Sequence, residues 1–139
     1  MKIILTIIIL LFMINPDSTD LTVTITNLKE DTGVVRLAIF DKSSAFPDKA
    51  HQAYDKVIAQ VQGGKATAVF KNIKPGKYAI SAFHDANNDG VINKNAFGIP
   101  KEGYGFSNDA MGSFGPPSFS AASFEVDENK NTHSFKLRH

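Results

Sequence analysis

Apolar and polar residues alternate through much of the chain with a period of two, the spacing of strands with one face turned to a core. Leu21, Val23 and Ile25 interleave with Thr22, Thr24 and Thr26, which predicts a strand over 21–26. Asn27 to Gly33 carries turn chemistry. Val34 to Phe40 follows as a second strand, with Val35, Leu37 and Ile39 on one face and Arg36 opposite. The two are expected to pair as a hairpin. Lys56 to Gln62 and Ala66 to Ile73 flank Gly63-Gly64, a hairpin-turn signal. Lys74-Pro75-Gly76-Lys77 fits a type II turn, with Pro fixing φ and Gly accepting a positive φ. In Tyr78 to His84 both faces are apolar or small, which suggests a central position. Phe119 to Asp127 and Thr132 to Arg138 complete about seven strands. A short helix near Asp48–Tyr54 is the one helical candidate. This spacing predicts an all-β fold, an antiparallel β-sandwich of immunoglobulin-like or transthyretin-like type.

The alternation stops between Asp85 and Pro117. A connection of that length in a compact domain is usually functional or disordered. Here it is aromatic as well as glycine-rich. Residues 97–119 hold five of the chain's 10 glycines and four of its 11 phenylalanines, with Tyr104 and Met111. Aromatics anchor a loop, while glycines supply unusual backbone angles, so an ordered excursion across one end or face of the sandwich is expected.

The N-terminus follows different rules. Met1-Lys2 is followed by Ile3 to Ile14, apolar but for Thr6, and then by the polar run Asn15 to Asp20. The stretch is short for a bilayer span and reads as a signal peptide over 1–20, without a clean cleavage signature, ahead of a domain over 21–139. An uncleaved anchor is the alternative. The expected location is periplasmic or secreted. The chain has no cysteine, which removes disulfides, thiolate metal sites, cysteine nucleophiles and lipoprotein acylation. Charge nearly balances, at 15 basic and 14 acidic residues, so nothing points to nucleic acid.

Two candidate sites lie in the 85–119 excursion. In Asp85-Ala-Asn-Asn-Asp-Gly-Val-Ile-Asn93, oxygen-bearing side chains fall at Asp85, Asn87, Asp89 and Asn93, with Gly90 directly after the third. That is the first half of an EF-hand-type calcium loop, in which alternate residues point inward and the glycine aims the next carbonyl, here Val91, at the ion. The twelfth position is Ala96 rather than Glu, so a distant carboxylate such as Glu102 or Asp109 would have to complete the shell. The competing reading is an Asx-rich turn that reverses the chain. The second site is a ligand or partner surface formed by Tyr104, Phe106 and Phe114 with Glu102. Its competing reading is that these aromatics seal the core.

No catalytic set stands out. His84 and Asp85 are adjacent and point to opposite faces of a strand. His51, His133 and His139 lack metal-ligand spacing. There is no nucleophile elbow, and Gly103-x-Gly105 does not open a helix after a strand.

Phe70-Lys-Asn-Ile-Lys-Pro-Gly-Lys-Tyr-Ala-Ile-Ser-Ala-Phe-His-Asp-Ala-Asn-Asn-Asp-Gly90, Gly98-Ile-Pro-Lys-Glu-Gly-Tyr-Gly-Phe-Ser-Asn-Asp109 and Phe114-Gly-Pro-Pro-Ser-Phe119 closely resemble the bacterial exported family known as domain of unknown function 2141, over about residues 21 to 138. The resemblance implies a signal peptide and an extracytoplasmic location, and it carries no activity. The Phe-x-x-Ile-x-Pro-Gly-x-Tyr-x-Ile-x-Ala run is more loosely similar to transthyretin-like modules, which bears on fold alone.

The leading expectation is an exported, non-enzymatic module that binds a small ligand or an envelope protein through the loop 85–119, with calcium as its organiser. A small hydrolase or carbohydrate-active protein with its site in the same loop is the alternative, and predicts a concave pocket holding Tyr104 and carboxylates of raised pKa. A structural component of the envelope is the third.

Overall fold

The computed structural model describes residues 17–139, so most of the expected signal peptide lies outside the described residues. Among these residues eight strands form: β1 (Thr19–Thr26), β2 (Val34–Phe40), β3 (Asp55–Gln62), β4 (Lys65–Ile73), β5 (Gly76–Asp85), β6 (Tyr104–Phe106), β7 (Phe124–Val126) and β8 (Thr132–Lys136). The only α-helical turn among the described residues is α1 (Phe119–Ala122), and a 3-10 turn at Ala50–Gln52 stands where a short helix was expected. The all-β class holds. Among the described residues no helix is long and apolar enough to cross a membrane.

The layering departs from an antiparallel sandwich. The strands form one mixed sheet in the order β6-β5-β2-β3-β4-β1-β8, with β7 on β5. It nearly closes into a barrel, because Tyr104 and Arg138 exchange backbone hydrogen bonds of 3.0 and 2.7 Å between β6 and the tail of β8. Gly105 makes that approach feasible, since a Cβ there would lie 2.6 Å from the Lys136 carbonyl oxygen. β8 pairs with β1 in parallel. It follows β7 through a tight turn, in which Asp127 and Lys130 exchange backbone hydrogen bonds of 3.1 Å.

The predicted β1–β2 hairpin does not form. β1 pairs with β4 and β8, and β2 with β3 and β5. Both strands feed one core from different sides, and the intervening link carries the chain across. Leu28 is buried in that link, and its amide donates to the Gly64 carbonyl at 3.1 Å. The β3–β4 hairpin forms as expected, with Gly63 and Gly64 at φ of 62° and 74°, the two positive values of a type I′ turn. The Pro75-Gly76 type II turn does not form. Gly76 opens β5, and the left-handed residue is Asn72, at φ 54°. The Asn72 amide donates to Asp20 Oδ1, so Asp20 on β1 fixes this corner from outside the local sequence.

β5 is central, as its two apolar faces suggested. Tyr78, Ile80 and Ala82 join the main core with Leu21, Val23, Ile25, Val35, Leu37, Ile39 and Phe70. Ala79 faces the other way, into a second cluster with Ala38, Phe40, Ala45, Phe46 and Ala122. That second cluster explains why the expected strand from Phe119 to Asp127 is split. The Ser118 hydroxyl accepts from the Ala121 amide and caps α1. The turn buries Ala122 against Phe46 and Phe40, and the chain becomes extended again at Phe124.

Candidate functional site

β5 ends at Asp85, which sits opposite Val34 of β2. Arg36 lies two residues along β2, opposite Phe83, so Arg36 and Asp85 are diagonal neighbours on one face of the sheet. The Arg36 Nε donates to Asp85 Oδ2 at 2.6 Å, and its Nη2 donates to Asn88 Oδ1 at 2.9 Å. Asp85 has no solvent exposure. Its two oxygens also accept from the Asp89 amide (3.0 Å) and the Gly90 amide (2.8 Å). Burial pushes the Asp85 carboxyl up, but the guanidinium and the two amides outweigh it and hold the group below its ordinary value of 3.8. Asp85 thus lacks the raised pKa of a carboxyl that donates a proton.

The loop after Asp85 folds back over that carboxylate with Asn88 and Gly90 at positive φ, 53° and 84°. The β1–β2 link closes over it from the other side. Gly33 has φ +69°, and a Cβ there would lie 2.1 Å from the Asp85 carbonyl oxygen. Only glycine satisfies both constraints.

Glu102 completes the arrangement from across the excursion. Its Oε2 accepts from the Ala86 amide at 2.9 Å, and its Oε1 accepts from the amide and the side-chain nitrogen of Asn93 at 2.9 and 3.0 Å. One carboxylate oxygen from each of Asp85, Asp89 and Glu102 lies within 4.8 Å of the others. Of the two distant carboxylates, Glu102 is the one brought near Asp85 and Asp89, whereas Asp109 accepts from the Lys136 amide elsewhere. Asn87 donates to Asp89 Oδ2, and the Val91 amide donates to Asp89 Oδ1. The side chains of Asn87 and Asn93 therefore brace the two outer carboxylates.

The aromatic residues of the second candidate site separate. Phe106 packs edge-on to Phe46, with centroids 6.0 Å apart, and Tyr104 stands half-buried beside it at 6.1 Å. Phe114 projects fully into solvent, as does Phe97 at 89 % exposure. His84 is buried on the face opposite Asp85. Its Nε2 donates to the Thr32 carbonyl and its amide to the Gly103 carbonyl, so it ties the two loops together. A hollow of about 370 Å³ lined by Pro75, Lys77, Glu125 and Asp127 lies at the other end of β5.

Arg36 is the site residue that sequence reading missed. The alternation set it only on the face opposite Val35, Leu37 and Ile39. The available signal was its isolation, as the one charge in Val34-Val-Arg-Leu-Ala-Ile-Phe40, a strand otherwise buried on both faces.

Residues 23–134 match the family described as an uncharacterized protein conserved in bacteria, DUF2141. The chain belongs to this family. No curated protein and no solved structure matches it. The family span includes Arg36, Asp85, Asp89 and Glu102 together, so the whole acidic cluster and its basic partner lie inside the family domain.

Proposed function

We propose that this is an exported binding module whose 85–119 excursion is the recognition surface, held in shape by a calcium ion at Asp85, Asp89 and Glu102. The supporting observation is a charge imbalance at short range. Three carboxylates converge within 4.8 Å, and among the described residues the one cation bonded to them is Arg36, which leaves two negative charges uncompensated. A divalent cation matches that deficit, and a hard ion takes oxygen donors of this kind. Asn87 and the Val91 carbonyl complete the proposed shell, with Asn93 positioning Glu102. So few formal charges imply an affinity of roughly 10⁻⁴–10⁻³ M, the range of extracellular modules. Export rests on the leader-like pattern of Met1 to Asp20.

Calorimetric titration with calcium tests the reading. Heat of binding and a raised melting temperature are expected at millimolar calcium, and both should vanish in Glu102→Gln and Asp89→Asn. No heat and no thermal shift in the unsubstituted chain would retire the metal.

A further inference from the structure

The acidic cluster supports a projecting hairpin that its own chemistry does not explain. The Lys101 amide donates to the Asn93 carbonyl at 2.7 Å, Lys94 pairs with Pro100, and the Asn95 amide donates to the Ile99 carbonyl at 2.9 Å. The turn closes when the Gly98 amide donates to the Asn95 carbonyl, with Gly98 at φ 76°. This is a three-residue hairpin loop, a type I turn followed by a left-handed glycine. Asn95 stiffens it further, because its Oδ1 accepts from the amides of both Phe97 and Ile99. Glu102 anchors the base of the stem through Asn93 and Ala86.

The apex so built holds apolar side chains out in water. Phe97 is 89 % exposed, Ile99 56 %, and Val91 near the stem base 58 %. Phe97 and Ile99 do not pack on the core, and ordering such a tip gains the fold no burial. Two exposed lysines, Lys94 and Lys101, flank it on the stem, and no acidic residue occurs from Val91 to Lys101. An apolar apex above a basic collar is the arrangement that enters a lipid headgroup region, with apolar groups below the phosphates and cations among them.

We infer that the 94–101 hairpin inserts its Phe97–Ile99 apex into an anionic lipid surface. The inference rests on the reading of the 85–119 excursion as the recognition surface, and names its partner. A bilayer fits better than a protein because the apex is small and convex. A stable protein interface needs about 800 Å² of complementary surface on each partner, far more than this tip offers, whereas a fluid interface moulds itself to any protrusion. The expected binding is reversible and salt-sensitive.

The chain has no tryptophan, so Phe97→Trp in the full chain reports the apex alone, however Ile3–Ile14 behaves toward the vesicle. With vesicles of phosphatidylcholine and phosphatidylglycerol, its emission should move to the blue and be quenched by lipids brominated on the acyl chains. Ile58→Trp, at an exposed position on β3, should do neither. Lys94→Gln and Lys101→Gln, each made in the Phe97→Trp background, should each lower partitioning about fivefold. An apex that stays in water with every vesicle, while circular dichroism shows an intact fold, overturns the inference and leaves the exposed residues to a protein partner. Equal insertion into pure phosphatidylcholine overturns the role of the basic collar. Calcium heat without apex insertion sinks this inference and spares the metal site. Insertion without calcium heat does the reverse.

Discussion

Arg36 and Asp85 stand 49 positions apart in the chain and meet at 2.6 Å across neighbouring strands. The aspartate is fully buried and the arginine side chain 27 % exposed, so this is a half-covered ion pair at the point where the regular sheet gives way to the long excursion. Asn88, Asp89 and Gly90 of that excursion hydrogen-bond to the pair. Removing the cation leaves the anion in place with no way to reach water, and the cost of an unpaired buried charge is severe.

Arg36→Met should therefore destabilise the protein by about 3 kcal/mol, the low end for a broken buried pair, because the Asp89 and Gly90 amides still hold the carboxylate. Urea unfolding measures it. A loss below about 0.5 kcal/mol, typical of an ordinary surface substitution, would show that the pair carries little.

Acid should weaken this corner in a defined window. The folded-state pKa of Asp85 lies below its ordinary 3.8, so its contribution is fully present above that value and is lost as pH falls through the folded value. Asp85→Asn should flatten the acid limb of a plot of unfolding free energy against pH, besides lowering stability at neutral pH. An unchanged acid limb in the variant would remove Asp85 as its source.

A second pH effect belongs to His133, whose ring stacks on Phe124 at 3.9 Å and whose Nε2 accepts from the Asn108 amide. Burial holds its pKa below the ordinary 6.5, against the opposing pull of Asp109. The neutral ring is the one that fits, so its contribution is complete above pH 6.5 and declines as pH drops toward the folded value. His133→Phe keeps the stack and should lose the decline in melting temperature between pH 7 and 5.

The glycines separate strain from collision. Gly33 and Gly63 have similar φ, +69° and +62°, but a Cβ at Gly33 meets the Asp85 carbonyl oxygen at 2.1 Å while one at Gly63 meets nothing within 4 Å. Gly63→Ala should cost about 1 kcal/mol for the backbone angle alone. Gly33→Ala should cost about 3 kcal/mol, with the overpacking term added. Equal losses in thermal unfolding would mean that the β1–β2 link relaxes away from the site.

Two phenylalanines of one excursion should behave oppositely. Phe106 packs on the second core cluster, and Phe106→Ala should cost about 2 kcal/mol in transfer and cavity terms. Phe114 is fully exposed, and Phe114→Ala should stay within about 0.5 kcal/mol. A large loss at Phe114 would reveal packing that its exposure does not suggest.

Much of the fold was legible because a strand with a buried face writes itself as alternation. Val34–Phe40 carries the same limits in sequence and structure, and Leu21, Val23 and Ile25 are fully buried as their spacing required. The Gly63-Gly64 turn was equally readable, because few residues tolerate two positive φ values in succession. What alternation does not encode is which strand lies beside which. Neighbours are chosen by how two faces fill one interior, and that choice sent β1 to β4 and β8, and β2 to β3 and β5. β6 escaped notice for a related reason. Three residues, Tyr104-Gly-Phe106, are too few to show a period, and they become a strand by borrowing hydrogen bonds from β5.

The local chemistry of 85–93 was visible as oxygen-bearing residues at alternate positions with a glycine among them. The sequence alone determined which acidic and aromatic residues were available and that they fell within one excursion. Tertiary structure decided that Glu102, not Asp109, joins Asp85 and Asp89, that Arg36 pairs with Asp85, and that Phe106 goes inward while Phe97 goes out. The reason is physical. Charge and burial act through space over a few ångströms, and only the folded sheet determines which distant residues come within that reach.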